Sequence, residues 1–113
     1  MPSEKTIALL LIEPDEQTAE RIRRLVNVGN KRAFRFSIKQ ANSLEHGLLI
    51  AANEAFDIVL ADIELPDSFG ENTCKRLRRK LPATPLFFLT EDEDITLSTL
   101  LVRAGAEDCF EKR

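Results

Sequence analysis

The sequence predicts an α/β domain built on a parallel sheet, and three observations predict it. Continuous apolar runs recur at residues 7–12, 58–61 and 86–89, with the length of strands buried on both faces. Between them, apolar residues recur at helical spacing. Four strands close on a polar side chain, Glu13, Asp62, Thr90 or Lys112, and ligand sites of open α/β sheets lie beyond the carboxyl ends of their strands.

The first run, Ile7 to Ile12, ends at the acidic, proline-containing corner Glu13, Pro14, Asp15. From Asp15 to Val28 the spacing becomes helical: Ala19, Ile22, Leu25 and Val26 share one side, while Glu20, Arg21, Arg23 and Arg24 take the other. Gly29 and Asn30 stop this helix. Residues 33–40 alternate Phe34, Phe36 and Ile38 with polar neighbours, as an edge strand does. A short helix follows, capped by Asn42 or Ser43, with Leu44, Leu48, Leu49 and Ala52 as its apolar stripe.

Residues 58–61 form a second central strand ending in Asp62, and residues 65–70 carry turn chemistry. A helix over 72–80 turns Cys74 and Leu77 inward and its five basic residues, Lys75, Arg76, Arg78, Arg79 and Lys80, mostly outward. Pro82 and Pro85 separate it from the third buried strand, closed by Thr90. The acidic residues 91–94 suit the N-terminal end of a helix over 95–103, which Gly105 stops. Residues 108–110 make a final short strand with Lys112 just beyond. Five strands and four helices result, and parallel neighbours require such crossover helices.

One domain fits 113 residues with 43% hydrophobic content. A formal charge of −3 gives no broad basic field, so direct nucleic-acid binding is disfavoured. The basic residues from Lys75 to Lys80 fit the solvated side of a helix, with no interleaved aromatics for base stacking. Cys74 and Cys109 lack metal-ligand spacing and are expected as reduced thiols in the cytoplasm. The first apolar run is far too short for a membrane span or a signal-peptide core. His46, the sole histidine, falls on a helix far from the rim and is expected to face solvent.

Two carboxylates, a hydroxyl and an ammonium converging on one rim can build a phosphoryl site. A carboxylate serves as nucleophile, acidic neighbours hold Mg²⁺, and hydroxyl and ammonium hold the product. Residues 9–15 (LLLIEPD), 56–67 (FDIVLADIELPD) with Gly70, Thr90, and 104–108 (AGAED) with Lys112 together resemble the receiver domains of bacterial response regulators over almost the whole chain. The resemblance implies a flavodoxin-like fold with strand order 2-1-3-4-5 and a place in a two-component phosphorelay, as a signalling domain and not an enzyme. It implies Asp62 as phospho-acceptor, with Mg²⁺ near Glu13, Asp62 and the Glu64 main-chain carbonyl. Thr90 would be the switch hydroxyl and Lys112 the cation that pairs with phosphate. A sensor histidine kinase or phosphotransfer protein is the implied partner, and an output domain the implied target. Residues 1–113 are then one receiver domain, expected to be the N-terminal part of a longer protein.

Three positions depart from the family pattern. Pro14 stands where a second acidic metal ligand is usual, so Mg²⁺ binding is expected to be weak. Asp15 reaches the pocket only if the turn shifts, and otherwise caps the first helix. Glu91 replaces a small residue beside the acceptor, and like charges about 4 Å apart repel by about 1 kcal/mol in water and about 4 kcal/mol at an effective dielectric near 20. Cys109 stands where an aromatic switch residue is usual. These changes motivate a second reading, a degenerate receiver acting as a phosphorylation-independent docking or dimerisation module.

The fifth helix usual in the family is not in the pattern. Its lack would bare apolar sheet surface, which favours a homodimer or docking of an adjacent helix. A flavin carrier of the same topology is disfavoured. The turn at residues 13–16 would repel a phosphate, and no Trp or Tyr is present to stack on the ring.

Overall fold

The computed structural model describes residues 5–29, 34–91 and 95–112. The expected helix stop at Asn30, strand start at Ala33 and acidic residues 92–94 lie outside them. In chain order the elements are β1 (Lys5–Ile12), α1 (Glu16–Gly29), β2 (Phe34–Ala41), α2 (Leu44–Asn53), β3 (Ile58–Asp62), β4 (Glu64–Leu65), β5 (Ser68–Phe69), α3 (Glu71–Lys80), β6 (Leu86–Thr90), α4 (Ile95–Arg103) and β7 (Asp108–Glu111). Five strands form a parallel sheet in the order β2-β1-β3-β6-β7, which is the expected flavodoxin-like 2-1-3-4-5. The segment read as a turn instead contains a second, two-stranded antiparallel sheet, β4 with β5. Its strands are too short for any apolar period to show in sequence.

One face of the large sheet carries the core. Leu10, Ile12, Val59, Ala61, Leu86 and Phe88 are buried there, packed with Leu44 of α2, Cys74 and Leu77 of α3 and Leu101 of α4. Gly47 lets α2 lie close to the sheet, since a Cβ at that position would stand 2.5 Å from the Ile12 Cδ1. The other face is covered by α1 only in part. Ile58, Leu60 and Phe87 are half-buried and Phe110 is exposed, and an apolar groove of about 320 Å³ runs over them between Leu9, Val26 and Phe36. Of the runs expected to be buried on both faces, β1 is so over Leu9 to Ile12, whereas β3 and the start of β6 alternate in burial. This is an apolar surface that the described helices leave partly uncovered. Phe87 and Phe110 stack in it with centroids 5.8 Å apart.

The apolar stripe expected on α2 is only half right. Leu44 is buried and Leu48 half-buried, but Leu49 and Ala52 face solvent, because the side of α2 turned to the sheet is that of Leu44, Gly47, Leu48 and Ala51. His46 is exposed, as expected.

Arg78 departs most from the outward-facing basic set. Its guanidinium donates to the carbonyls of Leu81 (2.9 Å), Thr84 (2.8 Å) and Gly105. It thereby ties the end of α3 to the α4–β7 turn, where Gly105 adopts φ +117. Arg78→Met keeps the aliphatic stem but strips three carbonyls of a charged donor, and is expected to lower stability by about 2 kcal/mol in urea unfolding. Arg79→Met, on the exposed side, should change it far less.

Candidate functional site

The rim at the carboxyl end of the sheet is built from the ends of β1, β3, β6 and β7. Glu13 follows β1 and is held on every side. Its amide donates to the Ala41 carbonyl at 2.9 Å, its carbonyl accepts from the Gln40 side chain at 2.9 Å, and its Oε2 accepts from the Asp15 amide at 3.0 Å. The residue is fully buried, yet its Oε1 has no hydrogen-bond partner among the described residues. A buried carboxylate oxygen without a partner is costly unless something else satisfies it.

Asp62, the last residue of β3, is 3% exposed. Its Oδ1 accepts from the Glu64 amide at 3.0 Å and its Oδ2 from the Lys112 ammonium at 2.5 Å. Lys112 follows β7, placed by its amide bond to the Thr90 carbonyl at 2.8 Å. Its Nζ also stands 3.2 Å from Glu13 Oε1 and 3.5 Å from Glu91 Oε1. Three carboxylates thus approach one ammonium, Glu91 from the exposed side, and among the described residues no three acidic, histidine or cysteine side chains are grouped so as to hold a metal ion by themselves. Burial pushes the Glu13 carboxyl up, against the lowering pull of the Asp15 amide, and the Asp62 charge pushes it further. Burial alone would lower Lys112, but the hydrogen bond and charge of Asp62, then those of Glu13, hold it well above the ordinary ammonium value.

Thr90 is buried on the same rim, its hydroxyl donating to the Phe110 carbonyl at 3.4 Å. Pro14 is exposed. Asp15 serves as the cap of α1, with its Oδ2 accepting from the Thr18 amide at 3.1 Å and hydroxyl at 2.5 Å, and these bonds lower its carboxyl from the ordinary value. Cys109 is half-buried, and burial pushes its thiol up.

Asp67 has a role that its place in a turn motif did not reveal. Its two carboxylate oxygens accept from the first amides of α2, Leu44 N at 2.8 Å and Glu45 N at 2.9 Å, while Ser43 caps the helix from within through the His46 amide. The loop behind Asp62 is therefore hung on α2. Nothing in the sequence signalled this, since the helix nearer in the chain is α3, which begins at Glu71. Desolvation raises the Asp67 carboxyl, but the two amides outweigh it and the net shift is downward. A depressed carboxyl stabilises the fold above about pH 4, and that gain is lost as pH falls through the folded value. Asp67→Ala is expected to cost about 1–2 kcal/mol at neutral pH, and less in acid, in urea titrations at the two pH values.

The sequence profile of the response regulator receiver domain matches residues 9–113. The chain belongs to that family. Similar curated proteins include the KDP operon transcriptional regulatory protein KdpE of Escherichia coli, 32% identical over 91% of this chain and 44% of KdpE. The cell cycle transcriptional regulator CtrA of Caulobacter vibrioides is 27% identical over 92% of this chain and 43% of CtrA. Protein RcaC of Microchaete diplosiphon is 27% identical over 88% of this chain and 15% of RcaC. The receiver spans less than half the length of each of these relatives.

Among solved structures, a putative response regulator from Chloroflexus aurantiacus superposes with a TM-score of 0.80 at 28% identity, over 96% of this chain and 86% of that one. A response regulator from Burkholderia pseudomallei, solved with a phosphorylated aspartic acid and a calcium ion, gives 0.78 at 22% identity, over 94% and 59%. Among the described residues no helix is long and apolar enough to cross a membrane.

Proposed function

We propose that this receiver takes a phosphoryl group on Asp62 from a sensor histidine kinase or phosphotransfer protein in the cytoplasm, and thereby controls an output domain or partner. The observation that carries the reading is the Asp62 carboxylate, 3% exposed at the end of a central strand, hydrogen-bonded to Lys112 at 2.5 Å with Glu13 alongside. In the transfer an Asp62 oxygen bonds to phosphorus while the bond to the donor's leaving group breaks. Lys112 then pairs with the phosphoryl oxygens in place of the carboxylate, and Thr90 offers its hydroxyl to them.

Glu13, Asp62 and the Glu64 main-chain carbonyl would hold Mg²⁺, and the buried Oε1 of Glu13, which has the Lys112 ion pair at 3.2 Å but no hydrogen bond, fits a cation ligand. The bound ion would neutralise charge on the transferring oxygens. The side chain at position 14 is a proline and supplies no oxygen, so the site is weak in metal. Pro14→Asp restores that oxygen without touching the Asp15 cap, and is expected to tighten Mg²⁺ by about tenfold in a calorimetric titration.

The test is intact-mass analysis after incubation with acetyl phosphate and Mg²⁺, with the modified peptide mapped. One added phosphoryl group on Asp62 is expected; none at saturating donor overturns the reading. A second reading, a docking or dimerisation module indifferent to phosphate, is favoured by the Glu91 carboxylate 3.5 Å from Lys112, where it competes for the same cation. On that reading Asp62→Asn leaves partner binding unchanged. The bare apolar groove of about 320 Å³ on the sheet makes a homodimer one candidate for such binding.

A further inference from the structure

We propose that the groove between α2 and α3 is a docking site for an acidic amphipathic helix of a partner protein. The groove has a volume of about 460 Å³, and none of Glu13, Asp62, Thr90 or Lys112 lines it. Its floor is apolar: Leu48, Leu49 and Ala52 line it, and Leu49 is 63% exposed. Its rim is basic. Arg76, Arg79 and Lys80 line the other wall at positions i, i+3 and i+4, along one side of α3.

Arg76 is already paired with Glu45 across the groove. Among the described residues no carboxylate pairs with Arg79 or Lys80. In a chain of formal charge −3, this is a local reversal of sign beside exposed leucine. Charge complementarity therefore calls for acidic side chains flanking apolar anchors, and a groove between two helices accepts a third helix by its i, i+3, i+4 and i+7 face.

Other polyanions fit less well. No aromatic side chain lines the groove for bases to stack on. A planar anionic bilayer cannot follow a groove between two helices, and outside it would meet Glu71 on α3. The proposal is independent of whether Asp62 is phosphorylated.

The test is fluorescence anisotropy of a labelled peptide of about four helical turns, with leucine at i, i+3, i+4 and i+7 and glutamate on the flanks. It is titrated with the wild-type protein and with R79E/K80E and Leu49→Ser, all exposed positions. Circular dichroism of each variant establishes that it is folded.

Saturable binding is expected, weakened at least about tenfold by either variant, by a peptide with lysine in place of glutamate, and by raised salt. Binding weaker than about 1 mM, or binding that neither variant alters, overturns the proposal. So does preferential binding of the wild type to phosphatidylcholine vesicles containing phosphatidylserine, or to duplex DNA, with the same sensitivity to the variants.

Discussion

Asp62→Asn is expected to abolish acyl phosphate formation, not merely to slow it. Asparagine keeps the size of the side chain and can still accept the Glu64 amide bond of 3.0 Å, so the loop should hold its shape. It presents a neutral amide in place of the nucleophilic oxygen, and the remaining carboxylates cannot substitute. Glu13 is fully buried, and Glu91 hangs outside on an exposed arm. Intact mass after acetyl phosphate and Mg²⁺ should show the phosphorylated species for the wild type and none for the variant. A phosphoryl group that persists on the variant would assign the chemistry to another side chain.

Lys112→Met is expected to have the largest effect on stability. The substitution leaves Asp62 and Glu13 facing each other in a pocket where their side chains are 5% and 0% exposed. Removing one partner of a buried ion pair costs about 3–5 kcal/mol, because the remaining charge is neither solvated nor matched. The pH dependence has a definite sign. A carboxyl raised by folding, as Glu13 is, favours the folded state in acid and loses that contribution as pH rises through its folded value.

Without the ammonium the Glu13 value rises further, so the variant's deficit should be greatest near neutrality and shrink as acid protonates Glu13. The raised ammonium of the wild type contributes fully below about pH 10.4 and begins to lose its contribution above that. Urea unfolding at pH 5 and pH 7.5 measures the difference. Mg²⁺ should recover part of it, since a cation takes the place of the lost positive charge. An equal deficit at both pH values would show that Lys112 acts through its stem and not through its charge.

The strand frame was legible because each central strand is an unbroken apolar run that ends on a polar residue, and a strand's carboxyl end fixes where that residue sits. Asp62, Glu13 and Lys112 could be brought together on paper for this reason, although they lie far apart in sequence. Side-chain direction was less legible. Leu49 has the spacing of a core residue but is exposed, because α2 turns the side of Leu44, Gly47, Leu48 and Ala51 to the sheet. Arg78 sits among five basic residues indistinguishable by composition. Only the folded path of the α4–β7 turn sets three carbonyls within its reach. Asp67 could not be assigned to α2 from sequence, since the helix it caps begins 23 residues earlier.

The partners Glu13 and Lys112 are 99 residues apart in the chain and belong to strands that are not neighbours. During translation β1, β3 and β6 can leave the ribosome and pair while Lys112 is still inside the exit tunnel. Until Lys112 emerges, the two buried carboxylates have no counter-ion, and the sheet edge meant for β7 stays open. In a nascent receiver the addition of β7 to β6 would thus simultaneously extend the sheet and neutralise the pocket.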